Sequence, residues 1–364
     1  MTVREDVVLA PYTSLSIGGP ARFLIEAACE QDVREVALFA VSKHLPLVPL
    51  GGGTNILVPD VGIDAVVLTL CADDIIFEPD EASAKSGEPQ DDGTVLLIAS
   101  AGASWDALVK AAGERELWGI ENLAGIPGRA AGALVQNIGA YGAELADVFA
   151  WADVLDLRSG ERLRLIAPEA QLGYRSSRFK RERHLLIMRV ALRLARAGVP
   201  RLAYADLARA QGAGASLTTP GDIGTAVRSI RADKFPKWGE GYLEGTAHPS
   251  RKATEGTAGS FFKNPVISEE HARAVRERFP STPQFPQEDG RVKIALAWLL
   301  DHALALKGFS VGRARLYEKQ PLVIVASEGA TAGEVDALAR EVAERVHEAT
   351  SIVIEREVET FCAR

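Results

Sequence analysis

The chain has 364 residues, of which 47% are hydrophobic and 25% charged, and its formal net charge is -8 at pH 7. This length predicts two or three domains, and the composition is that of an ordinary globular protein, which excludes the disordered and fibrous classes. Because the balance is acidic and no dense block of Lys and Arg occurs, we expect no nucleic-acid partner.

Hydrophobic periodicity predicts alternating strands and helices in the first third of the chain. Residues 23–50 predict a β-α-β unit that consists of an apolar run, the amphipathic helix "EQDVREVALFAVSKH" and the strand "LPLVPL". Two more strands are predicted at "DAVVLTL" and "TVLLIASAG", followed by the helix "SWDALVKAAGERE" with Ser104 as its N-cap. Residues 78–93 are acidic and poor in apolar residues, which predicts a solvated loop insertion.

The middle of the chain is predicted to be rich in strands, and the last third mixes both types. Strands are predicted at "WADVLDL", "ERLRLI" and "HLLIMRVALRLA", before the helix "PGDIGTAVRSIRADKF". The Gly- and Pro-rich stretch that follows predicts a domain boundary near residue 235. Beyond it we predict helices at "SEEHARAVRERF", "RVKIALAWLLDHA" and "TAGEVDALAREVAERVHEAT", and strands at "PLVIVAS" and "SIVIEREVETF".

Three observations concern the compartment in which the protein acts. No charged leader followed by an apolar stretch begins the sequence, and the longest apolar run, residues 292–306, is too short to span a bilayer. The widely separated Cys29, Cys71 and Cys362 suit reduced thiols, and their spacing does not indicate a metal site. We therefore expect a cytoplasmic protein with no membrane partner and no metal.

Two glycine-rich segments have the character of a ligand-binding backbone. In "PLGGGTNILV", residues 49–58, three successive glycines allow main-chain N–H groups to point into one concavity, as in phosphate sites. The spacing matches neither a dinucleotide fingerprint nor a P-loop, and a glycine turn without a ligand fits equally well. The second segment, "NLAGIPGRAAGALVQNIGAYGAEL", residues 122–145, predicts either a ligand against its backbone or tight helix-strand packing. Together they favour one extended ligand with a pyrophosphate, such as a dinucleotide.

Three shorter motifs supply polar side chains. Arg175 in "GYRSSRF" could bind a carboxylate in bidentate fashion, although an arginine beside a tyrosine is common on surfaces. In "TEGTAGSFFKNPV", residues 254–266, the two phenylalanines indicate either a buried edge strand with a turn or an apolar wedge that presents Ser260, Lys263 and Asn264 to a ligand. The three glutamates of "IEREVETF" share one face of a predicted strand, for which a solvated acidic face is the default interpretation.

Taken in order, these segments resemble one family along nearly the whole chain. The matching motifs are "TSLSIGGPARF", "PLGGGTN", "GIPGRAAGALVQNIGAYGAEL", "YRSSRFK", "GSFFKNPV" and the final "EREV". The family is UDP-N-acetylenolpyruvoylglucosamine reductase, the flavoenzyme that forms UDP-N-acetylmuramate for bacterial peptidoglycan. The segment "AYADL" is similar to the type I branch of this family.

The resemblance implies an α+β fold with three parts. Residues 1–234 would form an FAD-binding fold of the vanillyl-alcohol-oxidase type, with α+β subdomains at about 1–70 and 71–234. Residues 235–357 would form a C-terminal α+β substrate-binding domain, and the tail 358–364 would return to the FAD-binding region. The implied enzyme is a monomer.

The resemblance also implies roles for individual residues. The catalytic residues would be Arg175, the proton donor Ser260 and the acid Glu357. The FAD contacts would be Gly51, Gly52, Gly53, Thr54, Asn55, Ile126, Pro127, Gly128, Gln136, Asn137, Gly139, Ala140, Tyr141 and Gly142. The contacts to the sugar nucleotide would be Tyr204, Lys234, Lys263, Asn264 and Gln320.

In the implied reaction NADPH reduces FAD, and the flavin N5 passes hydride to the enol ether of UDP-N-acetylglucosamine enolpyruvate. Arg175 could hold the substrate carboxylate, and a protonated Glu357 could donate a hydrogen bond to it. Ser260 would protonate the inner carbon, with Lys263 or a water relay to restore its proton. Two features depart from the family's usual pattern: the loop 236–257 is long, and Glu359 replaces an often basic residue.

Two other hypotheses remain open from the sequence. One is a flavin-dependent oxidase or dehydrogenase of the same fold that acts on another substrate, and oxygen consumption would distinguish it. The other is a nucleotide-sugar binding protein without catalysis, which would be colourless when purified because it would hold no flavin.

Overall fold

The computed structural model describes residues 2–80, 93–236 and 255–362. Most of the acidic insertion at 78–93 and of the long loop at 236–257 lies outside the described residues. Within the described ranges, no helix combines the length and the apolar character that crossing a membrane requires.

The first sheet contains the predicted β-α-β unit. Its four strands are, in sheet order, Val3–Val8, Pro20–Ala27, Ile63–Leu70 and Leu47–Pro49. The first two are antiparallel, and the remaining neighbours pair in parallel. The helix Glu30–Ser42 connects Pro20–Ala27 to Leu47–Pro49 and buries Val33, Val36 and Ala40 in a core shared with the sheet. The β-α-β prediction is confirmed.

The second sheet is antiparallel and belongs to a large core. Its strands are, in sheet order, Arg162–Ile166, Phe149–Asp156, Leu185–Ala195, Thr94–Ser100 and Ile75–Pro79. The helices Trp105–Gly113, Ala130–Val135 and Pro220–Lys234 contribute to this core. Ser104 caps the first of these helices, as predicted, because its hydroxyl accepts the N–H of Ala107. Shorter helices lie at Ala167–Ala170, Arg178–Arg181 and Ala205–Gly212.

The third sheet is antiparallel and is formed by the C-terminal part of the chain. Its strands are, in sheet order, Glu255–Ser260, Gln320–Ser327, Ala314–Tyr317 and Ser310–Val311. The helices Glu269–Arg278 and Ala332–Thr350 pack into the same core. Leu15, Ile17 and Leu57 also belong to this core, so that N-terminal residues pack directly against the C-terminal part.

The predicted helix over residues 291–303 is wrong at its start. Val292–Ile294 form the middle strand of a small sheet with Val266–Ile267 and Gln284–Pro286. The helix begins at Leu296 and continues as a π-helix over Leu299–Ala303. Ladder partners on both sides of the segment decide this, and they override the local helical pattern.

The predicted last strand over residues 351–361 is mostly irregular. Only Glu359–Thr360 form a strand, which pairs in parallel with Ile56–Leu57. Before it, Arg356 forms an isolated bridge with Phe262, with main-chain hydrogen bonds from Lys263 to Glu355 and from Glu357 to Phe261. Because no continuous ladder forms, the alternation of apolar residues reflects burial and not a sheet.

Candidate active site

The three sheets and their loops surround a cavity of about 770 Å³. This volume is in the range of sites that bind small molecules and cofactors. Of the predicted site residues, those that line the cavity are Arg175, Ser260, Glu357, Gly51, Gly52, Gly53, Thr54, Asn55, Ile126, Pro127, Gly128, Gln136, Gly139, Ala140, Tyr141, Gly142, Tyr204, Lys234, Asn264 and Gln320. The structure does not bring Asn137 and Lys263 to the lining.

Two of the glycines in the first segment are required by contacts within the chain. Gly53 has a φ of +64°, and a Cβ there would lie 1.9 Å from the main-chain oxygen of Tyr12. A Cβ on Gly52 would lie 2.8 Å from the Cα of Gly128. The two glycine-rich segments therefore pack backbone against backbone, and side chains at these positions would force them apart.

Two other glycines face open space in the cavity. A Cβ on Gly51 would meet no atom closer than the Cα of Gly132, at 4.0 Å. A Cβ on Gly132 would meet nothing within 4 Å, although this residue lies inside the helix Ala130–Val135, where glycine is less favourable than alanine by about 1 kcal/mol. Chain packing does not explain these glycines. A flat ligand lying directly against the backbone does, so this wall fits a bound cofactor.

Asn137 supports the cavity wall from behind. Its side chain is 1% exposed, its amide nitrogen donates to the main-chain oxygen of Gly173 (2.9 Å), and its amide oxygen accepts the N–H of Ala146 (2.9 Å). Asn137 and Tyr141 both have positive φ, at 40° and 49°. These bonds hold the irregular turn that presents Tyr141 to the cavity.

Arg175 and Glu357 form an ion pair in the cavity lining. The Nε of Arg175 lies 2.7 Å from the Oε1 of Glu357, and the two side chains are 18% and 17% exposed. Arg175 also donates from Nη2 to the main-chain oxygen of Gly139 (2.8 Å). Its φ is +51°, a conformation that costs a non-glycine residue energy and needs surrounding support.

The C-terminal segment brings Glu357 beside two other predicted motifs. The main-chain N–H of Glu357 donates to the oxygen of Phe261 (2.9 Å), next to Ser260. The side-chain amide of Asn55, at the end of "GGGTN", donates to the main-chain oxygen of Glu357 (3.0 Å). Residues that are about 300 positions apart in sequence are thus held together by hydrogen bonds.

The segment "GSFFKNP" combines the two structures considered from the sequence. Glu255–Ser260 is an edge strand, and Phe261 and Phe262 are each 1% exposed, with ring centroids 5.4 Å apart. They anchor the segment in apolar packing, while Ser260 and Asn264 line the cavity. Lys263 instead forms an ion pair with the exposed Glu355, with Nζ 2.8 Å from Oε2.

The cavity is strongly cationic in an acidic protein. Among the described residues, seven Lys and Arg side chains and three Glu side chains line it. Sequence reasoning missed five of these cations and two of the carboxylates, namely Arg129, Lys180, Arg183, Arg231 and Lys293, and Glu144 and Glu359. Since the whole chain carries a formal charge of -8, this concentration of positive charge indicates an anionic ligand.

Two tyrosines in the cavity lining have raised pKa values. Burial raises the pKa of Tyr174, whose ring lies 4.8 Å from the Nζ of Lys293. Burial also raises the pKa of Tyr141, which packs edge to face on Tyr204. Both phenols are therefore neutral hydrogen-bonding groups at neutral pH.

Lys234 is oriented by a buried carboxylate. Burial alone would raise the pKa of Asp206. Hydrogen bonds and charge from Lys234 and Arg209 have the larger effect, so the pKa of Asp206 lies below its ordinary value. The carboxylate is therefore ionised, and it holds the ammonium group of Lys234 at the edge of the cavity.

Two family models match separate parts of the chain. Residues 21–166 match the model of the FAD binding domain, and residues 248–361 match that of UDP-N-acetylenolpyruvoylglucosamine reductase, C-terminal domain. The UDP-N-acetylenolpyruvoylglucosamine reductase of Pseudomonas aeruginosa is 36% identical over 98% of this chain and 98% of its own length.

This chain belongs to the UDP-N-acetylenolpyruvoylglucosamine reductase family. The Escherichia coli reductase is 35% identical over 96% of this chain and 94% of its own length. The solved reductase of Thermus caldophilus covers 99% of both chains with a TM-score of 0.64 and 24% identity, which shows a shared fold. The predicted family, the α+β FAD-binding fold with its C-terminal α+β domain, and the FAD cofactor are confirmed.

The sequence of this reductase-family chain contains features that mark some of the cavity residues not predicted above. Lys293 is a single lysine inside an apolar run, and Tyr174 directly precedes Arg175. Lys180 and Arg183 belong to the basic run "SRFKRERH", which has no periodicity that shows which side chains turn inward. Only the fold brings that run opposite Glu359, at distances of 3.0 Å.

Proposed function

We propose that this chain is the FAD-dependent reductase that converts UDP-N-acetylglucosamine enolpyruvate to UDP-N-acetylmuramate in peptidoglycan precursor synthesis. NADPH is the electron donor. The enzyme is of the type I branch and acts as a monomer in the cytoplasm. Family membership supports the reaction, and the excess of cations in the cavity is the structural observation that carries it. The substrate and the cofactor both carry diphosphates, and the substrate adds a carboxylate, so both need positive charge.

The FAD would lie along the two glycine-rich segments. Gly51 and Gly132 leave room for a ligand at the backbone, and the main chain from Gly51 to Asn55 supplies N–H groups for the pyrophosphate. Residues 1–234 would hold the cofactor, and residues 235–357 would hold most of the substrate. Tyr204, Lys234, Asn264 and Gln320 then contact the sugar nucleotide from walls that face this cavity.

Bound FAD supplies the hydride, and the side chains supply charge and a proton. In Arg175, Nε and Nη2 bind Glu357 and Gly139, while Nη1 makes only a 3.4 Å contact with the oxygen of Asn137. The remaining N–H groups of the guanidinium fork are available to the substrate carboxylate, where negative charge develops during hydride addition. Glu357 keeps the fork in this orientation through its bond to Nε.

Ser260 would protonate the inner carbon of the enol ether. It is the last residue of the edge strand and directly precedes the anchored Phe261, so its position on the wall is fixed. Lys263 is paired with Glu355 and is absent from the lining, which does not support it as the source of Ser260's next proton. A water relay through the cavity is the alternative that we retain.

Absorption spectroscopy of the purified protein tests this function. We expect a yellow protein whose flavin absorbance is bleached anaerobically by NADPH and recovers when UDP-N-acetylglucosamine enolpyruvate is added. A protein without bound flavin, or a reduced flavin that recovers only with oxygen, would contradict the proposal. UDP-N-acetylglucosamine without the enolpyruvyl group is the matched control ligand, because it lacks the double bond and the carboxylate.

A further inference from the structure

Glu359 connects three side chains on one wall of the cavity. Its Oε1 accepts hydrogen bonds from the Nε2 of Gln136 (3.1 Å) and lies 3.0 Å from the Nζ of Lys180. Its Oε2 accepts from the Nη2 of Arg183 (3.0 Å). The side chains of Glu359 and Lys180 are 28% and 19% exposed, so solvent screens this pair less than an ordinary surface pair.

Lys180 extends this network to the backbone of Arg175. Its ammonium group donates to the Oε1 of Gln136 (2.9 Å) and contacts the main-chain oxygen of Arg175 (3.4 Å), in addition to Glu359. These three acceptors match the three N–H bonds of an ammonium group. Because Arg175 has a positive φ, its conformation depends on such support.

Glu359 also fixes the segment that carries Glu357. The two residues are separated only by Val358, which is 4% exposed. The N–H of Glu359 donates to the oxygen of Asn55 (3.1 Å), and the side chain of the same Asn55 donates to the oxygen of Glu357 (3.0 Å). One carboxylate thus lies at the junction between the segment that bears Glu357 and the helix Arg178–Arg181 that follows Arg175.

We propose that Glu359 is a positioning residue for the Arg175–Glu357 pair. It acts from one side through the C-terminal segment and from the other through Lys180. The inference rests on the proposed function, because it assumes that the pair acts on the enolpyruvyl substrate. Without the Glu359 carboxylate, Lys180 and Arg183 face each other with no shared anion, and their repulsion displaces both partners of the pair.

The Glu359→Gln variant keeps the size of the side chain and removes its charge. We expect anaerobic stopped-flow to show flavin reoxidation by the enolpyruvyl sugar nucleotide slowed on the order of tenfold to a hundredfold, as small misplacements of catalytic groups do. Flavin reduction by NADPH and the Kd for FAD should change by less than about twofold. Glu355→Gln is the matched control, because this exposed glutamate of the same segment contacts Lys263 outside the cavity.

Lys180→Met tests the same network from the other side and serves if Glu359→Gln folds poorly. We expect the same selective slowing of flavin reoxidation. The double variant should be no slower than either single variant, because both changes break the same Lys180–Glu359 connection. The unfolding midpoints of the FAD-free variants should show the same lack of additivity, which is a readout independent of catalysis.

Three results would overturn this inference. Reoxidation of Glu359→Gln at the wild-type rate would exclude a positioning role. Equal slowing of both half-reactions, or a Kd for FAD weakened by the same factor, would indicate a general structural role. If the wild-type flavin is not reoxidised by the sugar nucleotide, the proposed function fails first, and this inference fails with it.

Discussion

Gly132→Ala should stabilise the FAD-free protein but not the FAD-bound protein. Gly132 is the third residue of the helix Ala130–Val135, and, apart from the helix's own backbone, no atom of the described residues lies within 4 Å of a Cβ at this position. In the FAD-free protein, the substitution should therefore stabilise the fold by about 0.5–1 kcal/mol, because alanine restricts the unfolded chain and favours the helix.

The same methyl group would project into the cavity where we place FAD. Adding a methyl to a fitted contact costs about 1–3 kcal/mol, which corresponds to a loss of FAD affinity of roughly fivefold to 150-fold. Because ligand binding stabilises the folded state in proportion to the logarithm of the affinity, this loss cancels or exceeds the gain in the helix. The FAD-bound variant should then be no more stable than the wild type.

Thermal unfolding with and without FAD, together with the Kd for FAD from flavin fluorescence, checks both signs. Gly212→Ala is the matched control, since Gly212 ends the helix Ala205–Gly212, has no neighbour within 4 Å and lies outside the cavity lining. It should leave the Kd unchanged. If Gly132→Ala binds FAD as tightly as the control does, the cofactor does not contact this wall, and our explanation of its glycines is wrong.

Three further predictions follow from the site and the cores. Ser260→Ala should leave the rate of flavin reduction by NADPH nearly unchanged and slow flavin reoxidation by the enolpyruvyl substrate in stopped-flow, whereas equal slowing of the two would refute the proton-donor role. Phe262→Ala should lower the free energy of unfolding by about 3–5 kcal/mol in denaturant titration, because the ring is 1% exposed, and a loss below about 1 kcal/mol would show that the segment is not anchored there. Burial alone would raise the pKa of Asp153, but hydrogen bonds and charge from Arg164 and Arg189 have the larger effect and hold this pKa below its ordinary value. The ionised Asp153 therefore stabilises the fold above about pH 4, and this stabilisation is lost as the pH falls through the lowered pKa. The unfolding midpoints of wild type and Asp153→Asn should therefore differ at pH 7 and converge towards pH 2, and a constant difference would contradict this assignment.

Local sequence patterns predicted most helices and strands, and the reasons are local. Ser104 caps its helix and the β-α-β unit forms because capping and apolar periodicity act within a few residues. The errors at residues 291–303 and 351–361 occur where partners distant in sequence decide the structure. A strand forms at Lys293 because neighbours on both sides offer ladder bonds, and the last segment stays irregular because only Glu359–Thr360 find a partner strand.

The sequence by itself determined the family and the fold class, and 20 of the 22 site residues predicted from it line the cavity. Glycine-rich segments and short polar motifs carry that information because they need particular residue types wherever they lie in space. Only the tertiary structure decided which charges meet. Lys263 turns to Glu355, Asn137 supports the wall from behind, and Glu359 joins Lys180 and Arg183. The physical reason is that ion pairs depend on distances of a few ångströms between residues up to 182 positions apart, which no local pattern specifies.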